Sequence, residues 1–132
     1  MNTSAAHAQV LFGWSRGAFA ARDILYEIAD KRAPHNLLSR FGSLLIMAAS
    51  VAPAPDKLKL AGIRRIMFAG GDADGSVPVM KASAAQLRAA GFEVRFVSLG
   101  NIAHVWPADF EQRMTSPLAW LTALSDSDAG SP

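Results

Sequence analysis

Apolar residues gather in short continuous runs along the 132-residue chain, and between those runs they recur every three or four positions. Val10-Leu11-Phe12, closed by Gly13, predicts a buried strand meeting a sharp turn. Leu44 to Ala48 and Ile66 to Ala69 predict two further buried strands, the second closed by Gly70-Gly71. Val94 to Leu99 alternates, with Arg95 on one face and Val94 and Phe96 on the other, which suits an edge strand. From Gly17 the spacing becomes helical: Ala21, Ile24, Leu25 and Ile28 form one stripe, with Arg22, Asp23, Glu27 and Asp30 on the other faces. Ala18 and Ala21 keep the first turns slim enough to lie close to a sheet, and Pro34 marks a stop. Ala52 to Pro55 reads as a proline-rich loop. Met80, Ala84 and Leu87 form a second helical stripe, with Pro78 in the first turn and Gly91 just past the end. A last helix starts near Asp109, and Ser116-Pro117, a cap followed by proline, is a point where it can break and restart.

This order of strands and helices predicts an α/β fold: a parallel sheet of about four strands with helices on its faces. Residues 9–124 form one partial domain, between a leader at 1–8 and a polar tail at 125–132 that are both expected to be disordered. No internal repeat is present.

Composition narrows the function classes. Apolar residues make up 51% of the chain, yet no uninterrupted stretch is long enough to cross a bilayer. Met1 to Gln9 lacks the charged-then-apolar plan of a secretory signal, so a cytoplasmic location and no membrane partner are expected. The absence of cysteine excludes disulfides, thiolate metal sites and a cysteine nucleophile. Net charge is only +2. Lys57, Lys59, Arg64 and Arg65 lie close together without interleaved aromatics, which reads as a solvated loop and strand end and not as a nucleic-acid patch. No cofactor or metal is called for. Asp72-Ala73-Asp74-Gly75 opens like a calcium loop, but position 83, where an EF-hand closes on glutamate, is Ser83.

The chemistry concentrates at Gly13-Trp14-Ser15-Arg16-Gly17, between a predicted strand and a predicted helix. A serine on so tight a turn has a strained backbone, and glycines two positions to each side remove side-chain collisions. The helix start brings a positive dipole end and free N–H groups beside the hydroxyl. The pentapeptide in this setting resembles the nucleophile elbow of α/β-hydrolases, with Ser15 as nucleophile and the Arg16 backbone N–H as an oxyanion donor.

A neutral serine needs a base, and the base needs a carboxylate to orient it. The resemblance implies the chain order Ser, Asp or Glu, His, each at the carboxyl end of a strand. His7 precedes the elbow and His35 precedes any suitable acid, which leaves His104 as base. Asp72 and Asp74 both follow the third strand. Gly71 to Pro78 is similar to the α/β-hydrolase acid loop Gly-x-x-Asp-x-x-Val-Pro, a register that favours Asp74, with Asp72 as the alternative. Ala103-His104-Val105-Trp106-Pro107, followed by an amphipathic helix with Ala119-Trp120-Leu121, resembles the tail of esterases, dienelactone-hydrolase-like proteins and prolyl-oligopeptidase-type domains. That family usually has glycine where Ala103 stands. Trp14 and Trp106 lie near the site in sequence and are candidates to line a pocket.

The resemblance covers Gln9 to Leu124 and implies the second half of an α/β-hydrolase fold. It implies a serine hydrolase acting on small carboxylic esters or related acyl compounds. The half of the fold before the elbow would carry the second oxyanion N–H, so this chain alone is expected to be weak. Its first strand, central in the whole fold, is expected to present an apolar edge open to a missing N-terminal half or to self-association. Two other readings stand beside this one. The chain could be an inactive α/β-hydrolase remnant serving as an interaction module. It could also be a doubly wound phosphate- or nucleotide-binding domain using the Gly13–Gly17 turn. The short segment from Ala49 to Ile63 predicts an open site without a lid.

Overall fold

A computed structural model describes residues 9–31 and 41–123. Four strands, β1 (Val10–Trp14), β2 (Ser43–Met47), β3 (Arg65–Gly70) and β4 (Glu93–Ser98), form one sheet in the order β1-β2-β3-β4. Every neighbouring pair is parallel, with Gly13 opposite Ile46, Ile46 opposite Phe68, and Phe68 opposite Phe96. The helices are α1 (Arg16–Ala29), α2 (Pro55–Leu60), α3 (Val77–Ala89) and α4 (Phe110–Thr122).

Because the strands follow one another across the sheet, right-handed crossovers send every connecting helix to the same face. Leu44, Ile46, Ile66 and Phe68 pack there with Ala18, Ala21 and Leu25 of α1, Leu58 of α2 and Met80, Ala84 and Leu87 of α3. Among the described helices only α4, which follows the last strand, reaches the opposite face, where Met114 and Leu121 pack with Leu45, Met47, Met67 and Ala69. Both faces of β2 and β3 are therefore covered, which explains why their sequences are continuously apolar and not alternating. Among the described residues β4 is an edge strand, as its alternation predicts.

β1 forms the other edge among the described residues. Gln9 accepts from the N–H of Gly42, and the Ser15 N–H donates to Met47, so the odd-numbered residues bond towards β2. The period of two then turns the backbone groups of Val10, Phe12 and Trp14 towards the open side. Phe12 is 43% exposed.

Several sequence expectations need correction. Ile24 is exposed and does not join the α1 stripe, which is completed by Ala18 and Ala29. The segment read as a loop through Pro55 starts a helix there, since proline at the first helical position loses no hydrogen bond. Six residues with one buried side chain, Leu58, carry too little periodicity to announce that helix. α4 runs unbroken through Pro117. Met114 and Leu121 anchor it on the sheet from both sides of the proline, and that packing outweighs the missing backbone bond.

Within the basic cluster Lys59 and Arg64 are exposed, as a solvated loop and strand end requires, but Arg65 is not. Arg65 donates to the carbonyls of Trp120 (2.6 Å) and Ala123 (3.2 Å), and its guanidinium lies over the Trp120 ring. It neutralises the carbonyl end of α4, where a cation is favoured by the helix dipole. Lys57, on α2, pairs with Asp30.

Pro34, His7, His35 and the expected leader and tail lie outside the described residues. No described helix is long and apolar enough to cross a membrane.

Candidate active site

The carboxyl ends of the parallel strands share one rim, and the loops after β1, β3 and β4 meet there. Ser15 follows β1 directly, with φ 55° and ψ −122°, a left-handed conformation unusual for a residue with a side chain. Its N–H donates to the Met47 carbonyl at 2.8 Å, which ties the turn to the neighbouring strand end. Gly13 makes this turn possible. A Cβ there would stand 2.4 Å from the Ala18 Cα and 2.6 Å from the Gly17 carbonyl oxygen. At Gly17 a Cβ would meet nothing within 4 Å. Collision therefore explains one elbow glycine and not the other.

The Ser15 Oγ lies 2.9 Å from His104 Nε2, although the two residues are 89 positions apart. His104 Nδ1 lies 2.9 Å from Asp74 Oδ2. The other oxygen, Oδ1, accepts from the backbone N–H of Ser76 (2.9 Å) and from its hydroxyl (2.7 Å). Asp74 is 6% exposed. Burial pushes its carboxyl pKa up, but the two Ser76 bonds, then the bond to His104 and its charge, outweigh that and hold it below the ordinary carboxylate value. An ionised carboxylate can only accept, so Nδ1 is the donor to Asp74, and when the ring carries a single proton Nε2 is an acceptor for the Ser15 hydroxyl.

Asp72, the alternative acid, turns elsewhere: it is exposed, and its Oδ1 accepts from the Ser98 hydroxyl at 2.6 Å. The bond from Ser98 fastens the β3 loop to the end of β4. Two backbone bonds join the same loops, from Asp72 N–H to Gly100 (2.8 Å) and from Ala73 N–H to Ile102 (3.0 Å).

One residue of the site escaped sequence reasoning, and a second was legible only as the opening glycine of the acid-loop pattern. Ser76 fixes the Asp74 carboxylate, and the only sequence signal for it was a hydroxyl two positions after the acid, a common Asx-turn spacing. Gly71 lets the loops touch, because a Cβ there would lie 2.2 Å from the Ile102 carbonyl oxygen. The Gly70-Gly71 pair was visible, but its long-range partner was not.

Ser15, Arg16, Asp74 and His104 line an open cleft of about 450 Å3 whose walls include Phe19, Ala48 and Ala49. Arg16 opens α1, so its N–H has no partner within the helix. Neither Trp14 nor Trp106 is among the lining residues. Trp106 is 46% exposed and stacks on Phe110, with ring centroids 4.6 Å apart. Trp14 is half-buried and lies against the His104 ring. No group of three or more His, Asp or Glu side chains suited to a metal occurs among the described residues.

Among solved structures, the chain is similar to an S-formylglutathione hydrolase (FrmB) from Staphylococcus aureus, with 14% identity and a TM-score of 0.52. At this identity the likeness shows a shared α/β architecture. An uncharacterised protein from Bacillus cereus gives a TM-score of 0.60 at 21% identity. Each similarity covers 85% of this chain, but only 36% of the Bacillus protein and 50% of the hydrolase. No family model and no curated protein matches the sequence.

Proposed function

We propose that this chain carries the acyl-transfer machinery of a serine hydrolase acting on carboxylic esters or related acyl compounds, and that it corresponds to the second half of an α/β-hydrolase fold. One observation carries the reading: a strained-turn serine, an imidazole and a buried carboxylate are joined in series by two hydrogen bonds of 2.9 Å. The likeness to an S-formylglutathione hydrolase supports the fold in which this chemistry is read and names no substrate for this chain.

In the reaction, Ser15 Oγ bonds to the acyl carbon as its proton passes to His104 Nε2. The carbonyl π pair moves onto oxygen, and the Arg16 N–H stabilises the oxyanion. Asp74 holds the tautomer and the imidazolium that forms. Collapse expels the leaving group, which takes the proton from Nε2 and leaves an acyl-Ser15 ester. Water, deprotonated by His104, then releases the acid and restores the serine. The open cleft and its apolar walls suit small acyl groups.

One oxyanion N–H in place of two lowers turnover by about a hundred- to a thousandfold. From a typical enzyme turnover of about 10 per second, p-nitrophenyl acetate should be hydrolysed by this chain at about 0.01–0.1 per second. Ser15→Ala should abolish that activity. Turnover by the chain alone at full esterase rates would overturn the single-donor proposal. Absence of any Ser15-dependent turnover would overturn the hydrolase reading.

A further inference from the structure

Trp14 immediately precedes the serine, and its ring lies against the imidazole. The centroids are 5.7 Å apart and the planes differ by 18°, a stacked arrangement within the usual range for aromatic pairs. Position on the elbow requires nothing of this side chain. Its indole N–H is buried and has no hydrogen-bond partner among the described residues. A buried donor left without a partner is destabilising, and phenylalanine at this position would avoid that penalty. The ring also packs against the core beneath α4 and edge-on to Trp106, contacts that a phenyl ring would make as well, so the unpartnered N–H is a cost that this packing does not require.

The contact has a physical use. Hydrogen bonds at Nδ1 and Nε2 fix the line through the imidazole nitrogens but leave the ring some freedom to roll about that line. His104 sits on a loop without regular structure, and half of its side chain is exposed. A nearly parallel indole on one face restricts the roll. It also presents the negative face of the best aromatic partner for a cation to the ring that becomes imidazolium. The charged groups around this ring are Asp74 at Nδ1 and Arg16 in the same cleft; Ser15 occupies Nε2.

We infer that Trp14 is a positioning residue for His104, whose indole face sets the roll of the imidazole and favours its protonated form in the transition state. The kinetic consequence rests on the serine-hydrolase reading, whereas the contact itself does not. Two measurements keep them apart.

The first is intrinsic fluorescence of the whole chain between pH 8 and 5, the range in which imidazoles gain a proton. Stacking predicts quenching of Trp14 as pH falls, lost in His104→Gln and in Trp14→Phe. Quenching that survives His104→Gln overturns the inference, and this comparison needs no Trp14 variant to fold. The second is ester turnover. Trp14→Leu should lower kcat about two- to fivefold with little change in KM, and move the acidic limb of the kcat/KM profile about half a pH unit lower. Trp14→Phe should restore most of both. Equal losses in Leu and Phe variants, or a loss confined to KM, overturn the inference. His104-dependent quenching in a chain without Ser15-dependent turnover would uphold the contact and overturn the hydrolase reading.

Discussion

A Cβ on Gly71 would lie 2.2 Å from the carbonyl oxygen of Ile102, so the loop that carries Asp74 and the loop that carries His104 touch backbone to backbone. No rotamer change relieves that contact, since the obstructing atom belongs to the main chain. Gly71→Ala must push the loops apart and carry His104 away from Asp74. Displacement of about 1 Å can cost about a hundredfold in rate. Gly71→Ala should therefore lose about two orders of magnitude in kcat while keeping its far-UV circular dichroism, measured with p-nitrophenyl acetate on the folded variant. Activity near wild type would show that the loops have slack.

The two elbow glycines should behave oppositely. Gly13→Ala drives a Cβ into the α1 backbone at Ala18 and should destabilise the fold by about 1–3 kcal/mol or more. Gly17→Ala enters open space near the start of a helix and should be neutral or stabilise by up to about 1 kcal/mol. Urea unfolding of both variants checks the contrast.

The acid pair separates by pH as well as by rate. The folded Asp74 carboxyl lies below its unfolded value, so its contribution to stability is fully present above the ordinary carboxylate pKa of about 4. That contribution fades as pH falls through the lower folded value. Asp74→Asn should flatten the loss of stability between pH 5 and 2 and reduce kcat by orders of magnitude. Ser76→Ala should move the acid transition to higher pH, because it removes one of the bonds that hold the carboxylate ionised. Asp72→Asn should leave turnover within about twofold, since the Ser98 bond lies outside the proton path. Acid unfolding followed by fluorescence, together with kcat at neutral pH, tests all three.

How much of this was legible in the sequence varied with the kind of signal. β2 and β3 announced themselves because both faces of each are buried, and a strand covered on both sides needs a continuous apolar run such as Leu44 to Ala48. The order Ser15, Asp74, His104 comes from the resemblance to α/β-hydrolases, and the three side chains meet because each follows a strand of a parallel sheet and such strands end at one rim. Local spacing failed where a distant contact decides the structure. Pro117 looked like a break until Met114 and Leu121 were seen anchored on the sheet. Arg65 looked solvated until the carbonyl end of α4 was found beside it. Gly71 and Trp14 each matter through a partner some 30 or 90 positions away, and no period or motif encodes that.

Reaction with a fluorophosphonate probe tests the proposed chemistry most directly, because it requires an activated serine but neither a substrate nor a second oxyanion donor of known origin. Intact-mass and peptide mass spectrometry should find one adduct, on Ser15. It should be absent from Ser15→Ala and form at least about a hundredfold more slowly in His104→Ala. A folded chain that takes up no probe, or one that labels equally fast without the imidazole, would contradict the assignment of Ser15 and His104 as nucleophile and base.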